Sequence, residues 1–160
     1  HQLAKLPCFK NIVFTGQITT DDLHSLYQRA ALLLISSYQE GLGIVGLEAL
    51  LHGTPVVATD CGGTKDFVIN NVTGYLVNIN DDDAMASKIT SILSNEKLHA
   101  HLSQAGRRFI EEQYSTQQIY SLFKLALTTT YPELKAWISS CDRQLSVLQQ
   151  QKPHRIQDMT

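Results

Sequence analysis

Short apolar runs alternate with helical patterns along the first half of the chain, and this alternation restricts the fold more than any other feature. The runs that predict strands lie at residues 12–14, 32–35, 56–58 and 74–77. Continuous apolar runs of this length are typical of strands that are covered on both faces. We therefore predict an α/β fold with a Rossmann-like, doubly wound parallel sheet, followed by C-terminal helices.

Polar clusters mark where several helices begin. Thr19-Thr20-Asp21-Asp22 resembles a capping box, and Asp81-Asp82-Asp83 opens a later helix. The three aspartates also contain the Asp-x-Asp pattern that some transferases use to hold manganese. Capping is the favoured interpretation, because carboxylates at a helix N-terminus accept from its free amides. The pattern then predicts a helix that ends near Glu112 and another from about 116 to 127.

Pro132 interrupts this helical pattern. We predict one domain over residues 1–130 and a helical or flexible extension over 131–160. The last helix of the domain carries an apolar stripe, for which core packing is favoured over a membrane-binding face. The stripe consists of Ile119, Leu122, Phe123 and Ala126.

Composition excludes several classes of protein. Of 160 residues, 43% are hydrophobic and 18% charged, and the net charge of −2 lacks the basic footprint of a nucleic-acid binder. Cys8, Cys61 and Cys141 are too widely spaced to indicate a disulfide framework or a zinc site, which fits a reducing cytoplasm. The chain has neither an initiator Met nor a signal peptide, so we expect it to be part of a longer protein.

The segment from Glu40 to Glu48 is the candidate binding site. It follows a predicted strand and consists of a glycine-rich turn that runs into an apolar helix, with one carboxylate at each end. The first N–H groups of a helix lack internal partners and lie at the positive end of its dipole, so they can receive a diphosphate. Carboxylates accept hydrogen bonds from sugar hydroxyls. This layout predicts a sugar nucleotide as the ligand.

A competing interpretation is a dinucleotide-binding fingerprint. Residues 41–46 read G-x-G-x-x-G, and Asp60 ends the next strand. However, a polar link separates the turn from its strand, and Asp60 comes earlier than the ~20 residues that this motif usually requires.

His52 lies at a helix end, where C-terminal capping is favoured over catalysis.

The order and spacing of these motifs resemble those of the C-terminal domain of glycosyltransferase family 4, whose members have the GT-B fold. The resemblance covers about four fifths of the chain and ends with Tyr114-Ser115 before the final helix of the domain. The matching stretches are residues 11–16, 40–44, 47–49, 53–59, 62–63 and 73–77.

The resemblance implies a retaining transfer of a sugar from a nucleotide-sugar donor, without an essential metal or other cofactor. Glu40, the catalytic candidate, would contact the sugar hydroxyls, and Glu48 the ribose. Weaker assignments place the base at the backbone of 16–18 and the diphosphate near 62–63. The donor-binding candidates are therefore Gly41, Gly43, Ile44, Val45, Glu48, Gly16, Gln17, Ile18, Gly62 and Gly63.

The same resemblance leaves the acceptor open as a glycan, a lipid or a small molecule, with peripheral membrane contact as one option. The family's catalytic Arg and Lys, and its first two strands, lie upstream of the residues present. We therefore expect an inactive fragment that is marginally stable or that pairs residues 12–14 and 32–35 non-natively. The alternative function is a non-catalytic sugar-nucleotide-binding module.

Overall fold

The computed structural model describes residues 7–150, with side chains described for 7–143, so the end of the predicted 131–160 extension lies outside the described residues. The described residues form three strands and six α-helices. The strands are β1 (Leu33–Ile35), β2 (Val56–Thr59) and β3 (Gly74–Val77). The helices are α1 (Thr20–Arg29), α2 (Ile44–Leu51), α3 (Asp82–Leu93), α4 (Glu96–Gln113), α5 (Thr116–Thr130) and α6 (Lys135–Gln150).

The strands form a parallel sheet in the order β1-β2-β3. Leu33 pairs with Val56, and Val57 pairs with Tyr75. All four residues of the central strand β2 are buried. The prediction that the run 32–35 is covered on both faces is wrong at Leu34 of β1, which is 45% exposed. The predicted α/β class with a parallel sheet and C-terminal helices is confirmed.

Residues 12–14 do not form the predicted strand. Val13 is 81% exposed and Phe14 is 70% exposed, and the segment pairs neither with β1 nor with another described strand. A strand is stable only when a neighbour takes its backbone hydrogen bonds, so apolar residues alone do not produce one. The prediction of a strand at 12–14 is therefore wrong. Between β2 and β3 the chain forms a short 3₁₀ helix, Gly63–Asp66.

The core covers both faces of the sheet. Val57 packs in a cluster with Tyr75, Met85, Ile92 and Leu102, on the face covered by α3 and α4. Its neighbours on β2 point to the opposite face, because side chains alternate along a strand. These neighbours, Val56 and Ala58, are also fully buried.

Helix capping follows the sequence closely. The Thr19 hydroxyl accepts from the Asp22 amide at 3.2 Å, and the Asp81 carboxylate accepts from the Ala84 amide at 3.0 Å. The favoured interpretation of Asp81 as a helix cap is confirmed. Each cap satisfies an amide that the first helical turn would otherwise leave unpaired.

The chain divides into two compact units, one ending at Glu111 and one starting at Glu112. In the second unit, Tyr120 and Lys124 of α5 both contact the Asp142 carboxylate of α6. The apolar stripe on α5 is exposed, so its predicted core packing is wrong: Phe123 lines a cavity with Trp137 and Ile138 of α6 but remains 61% exposed. None of the described helices combines the length and apolar character needed to span a bilayer.

Candidate functional site

The N-terminus of α2 is open, unlike those of α1 and α3. Gly43 is its N-cap, with φ of +73° and ψ of +51°, and no side chain caps the helix. Glycine adopts this left-handed conformation without the steric cost that a Cβ atom brings. The amides of Ile44 and Val45 have no acceptor within the helix, since they belong to its first turn. The glycine turn predicted from the sequence therefore leaves these donors available to a ligand.

Two turns that are distant in sequence meet at this helix. The Glu40 amide donates to the Cys61 carbonyl, and the Gly63 amide donates to the Glu40 carbonyl, both at 3.0 Å. These bonds make a parallel bridge between Glu40 and Gly62. A Cβ atom on Gly63 would lie 2.0 Å from the Gly41 carbonyl oxygen. The two predicted glycine motifs thus form one continuous backbone surface, on which the Glu40 carboxylate is half-buried.

The Phe67 ring packs against the glycine turn. Its side chain is fully buried. A Cβ atom would lie 3.1 Å from this ring if placed on Gly43, and 2.3 Å from it if placed on Gly46. Sequence alone could not indicate this role, because a lone apolar residue after a turn is typical of any core.

Glu48 is half-buried on α2 and is held by a tyrosine of α1. The Tyr27 hydroxyl donates to Glu48 Oε2 at 3.1 Å, and Tyr27 is only 5% exposed. Burial, the hydrogen bond to Glu48 and the charge of Glu48 together raise the pKa of Tyr27 to about 12. The hydroxyl therefore remains a donor at neutral pH. In the sequence, Tyr27 lies at helical spacing from Leu23 and Ala30, which indicates only that its side chain faces the core.

His52 caps the C-terminus of α2, as predicted, and its amide donates to the Glu48 carbonyl at 3.1 Å. Its ring lies 4.9 Å from that of His24 and 5.9 Å from that of Tyr27, measured between centroids. Burial lowers the pKa of His52, and the nearby His24 and Arg107 lower it further, whereas Glu48 opposes the shift. The cluster thus favours a neutral imidazole.

The remaining predicted residues, 16–18, lie in the loop before α1. Gly16 has φ of +63° and is exposed, as is Gln17. Within the part of the chain that the structure describes, no hydrogen bond joins this loop to Glu40 or Glu48. The contact of this loop with a base stays a prediction.

The dinucleotide interpretation required a free acidic residue at the end of β2. Asp60 is instead paired with Lys65, with 2.9 Å between Asp60 Oδ1 and Lys65 Nζ. This hydrogen bond and the negative charge of Asp60 raise the pKa of Lys65. The pair tethers the 3₁₀ turn that follows Gly62 to the end of the strand.

A parallel sheet with an open helix N-terminus after one of its strands defines a Rossmann-like ligand-binding domain. The chain belongs to the family of glycosyl transferases group 1, whose family model matches residues 1–109. Its sheet and helices are those of a GT-B C-terminal domain.

Individual relatives agree with this assignment. The chain is 39% identical over 105 residues to D-inositol 3-phosphate glycosyltransferase of Salinispora arenicola, covering 66% of this chain and 23% of that protein. The C-terminal domain of the Francisella tularensis group 1 protein LpcC is 28% identical, with a TM-score of 0.62, covering 67% of this chain and 55% of that one.

A structure of S. aureus TarM determined with UDP, alpha-GlcNAc-glycerol and Fondaparinux is 33% identical, with a TM-score of 0.66. The match covers 71% of this chain and 23% of TarM. The chain thus spans about a quarter of the length of curated relatives such as the Salinispora enzyme.

Proposed function

We propose that this chain is the donor-binding part of a retaining, family 4 glycosyltransferase with the GT-B fold, acting within a longer protein. The observation that carries the proposal is the uncapped N-terminus of α2, which lies between Glu40 and Glu48. The similarity to TarM, whose structure holds UDP, supports a nucleoside diphosphate as part of the ligand.

The diphosphate binds at the turn that begins with Gly41. The amides of Gly43, Ile44 and Val45 donate to it, and the positive end of the helix dipole stabilises its charge. Gly62 and Gly63 contribute backbone from the adjoining turn, which the bridge to Glu40 holds in place. These fixed dipoles stabilise the leaving diphosphate as the bond to the sugar breaks, and they require no metal.

The two carboxylates bind hydroxyl groups on either side of the diphosphate. Glu40 contacts the transferred sugar and is the catalytic residue that this chain supplies. Glu48 accepts from the ribose hydroxyls. The backbone of residues 16–18 contacts the base. The acceptor binds to the rest of the protein, which acts in the cytoplasm or at the surface of a membrane.

Calorimetric titration of the full-length protein tests this function. The ligands are UDP, GDP and ADP and their hexose conjugates, each with and without Mn²⁺. We expect one nucleotide series to bind in the absence of metal, and the hexose conjugate of that series to bind more tightly than the bare diphosphate. Folded protein that binds none of them would refute donor binding, and binding only with Mn²⁺ would refute the metal-free mechanism.

A further inference from the structure

Tyr27 contacts the Glu48 carboxylate from the side of α1. The hydroxyl donates to Oε2 at 3.1 Å, and among the residues whose side chains are described it is the hydrogen-bond partner of that carboxylate. Oε1 therefore remains available to a ligand. A single donor that occupies one oxygen also restricts the rotation of the flexible glutamate side chain.

Burial and two contacts fix the position of Tyr27 itself. Its ring is buried, and it stacks on the His52 ring with an angle of 19° between the two planes. The buried Thr54 hydroxyl donates to the Tyr27 backbone carbonyl at 2.5 Å. His52 and Thr54 directly follow α2, so the phenol is held by the segment that continues from the helix carrying Glu48.

A carboxylate that accepts hydrogen bonds from two neighbouring hydroxyls must hold its free oxygen in one orientation. An unrestrained glutamate loses side-chain conformational entropy when it binds, which weakens the complex. The Tyr27 bond restricts that freedom before the ligand arrives. Because the hydroxyl keeps its proton at neutral pH, this restraint is present whenever the ligand binds.

We propose that Tyr27 is the positioning residue for Glu48 and thereby sets the preference of the site for ribonucleotides over nucleotides that lack the ribose hydroxyls. The proposal rests on the proposed function, in which Glu48 accepts from the ribose. Tyr27 itself touches neither the ribose nor the diphosphate.

The test compares UDP with 2′,3′-dideoxy-UDP by calorimetry on the full-length protein, or the corresponding pair if GDP or ADP is the series that binds. In Tyr27→Phe the affinity for the ribonucleotide should fall about tenfold, the scale of one hydrogen bond to a charged group. Affinity for the dideoxynucleotide should not change. The ratio of the two affinities therefore falls, which a general loss of structure would not produce.

Tyr120→Phe is the matched control, because the Tyr120 hydroxyl also donates to a carboxylate, that of Asp142, at 2.7 Å in the second unit. It should leave the ratio unchanged. A second measurement combines Tyr27→Phe with Glu48→Ala, and the tyrosine change should then have no further effect on the ratio.

The outcomes distinguish the proposed ribose role of Glu48 from the proposed positioning role of Tyr27. If the wild-type protein binds both nucleotides equally, the ribose role of Glu48 fails. If the wild type prefers the ribonucleotide and Tyr27→Phe keeps the full preference, Glu48 retains its role and the positioning role of Tyr27 is refuted. A persistent effect of Tyr27→Phe in the Glu48→Ala background would also refute it.

Discussion

The backbone of Gly41 passes so close to Gly63 that a Cβ atom at position 63 would lie 2.0 Å from the Gly41 carbonyl oxygen. The obstacle is backbone, which cannot rotate away as a side chain would. The turn after β1 and the turn after β2 therefore keep their relative positions only if residue 63 is glycine.

Gly63→Ala should separate these two turns. We expect a loss of about 3 kcal/mol in the free energy of unfolding, at the upper end of overpacking effects, together with a loss of nucleotide affinity. Gly41→Ala is the matched control, because a Cβ atom there meets nothing within 4 Å. Chemical denaturation of both variants tests stability, and calorimetry of Gly63→Ala tests affinity. Gly41→Ala is a control for stability alone, since Gly41 begins the turn proposed to bind the diphosphate, and equal stabilities would contradict the packing argument.

Gly46→Ala should push the new methyl group against the Phe67 ring, which lies 2.3 Å from the ideal Cβ position. The expected cost is about 1 to 3 kcal/mol of stability. Phe67→Leu removes the obstructing edge of the ring, so the double variant should lose less than the sum of the two single losses. Additive losses in a double-mutant cycle would show that the two positions are not in contact.

Glu48→Ala and Glu40→Ala should affect binding differently. The first should weaken binding of both the nucleoside diphosphate and its sugar conjugate by about 1 to 3 kcal/mol, the scale for a charged hydrogen-bond partner. The second should abolish the preference for the sugar conjugate while leaving affinity for the diphosphate unchanged. Titrations with both ligands distinguish the two residues, and identical profiles would refute the separate assignments.

His52 should make stability depend on pH in the mildly acidic range. Because its pKa is lowered in the folded state, the unfolded protein binds more protons below about pH 6.5, the ordinary histidine value. Stability should therefore rise with pH through this window and fall on acidification. His52→Gln should flatten the dependence of Tm on pH. An unchanged slope in His52→Gln would contradict this origin.

Asp81 offers a test of helix capping against metal binding. Asp81→Ala should cost about 1 kcal/mol of stability, whereas Asp81→Asn should retain it, since both Asp and Asn are good N-caps. Neither change should affect nucleotide affinity with or without Mn²⁺. A loss of Mn²⁺-dependent binding in Asp81→Asn would support the manganese interpretation of the aspartate cluster.

Local sequence was sufficient wherever the interaction is itself local. Thr19 and Asp81 cap helices with amides three residues away, and the glycine at 43 begins α2. The apolar run at 56–58 predicted the strand that the structure shows as β2. These features depend on neighbours in the chain, so a single sequence contains them.

Contacts between distant residues were decided only by the tertiary structure. Residues 12–14 have the composition of a strand but no partner among the described strands, and pairing depends on that partner. Tyr27 had only the signal of a core residue until the packing of α1 on α2 brought its hydroxyl to Glu48. The sequence by itself determined which segments are helices, turns and central strands. The tertiary structure decided which side chains meet at the site, because those distances depend on how the elements pack.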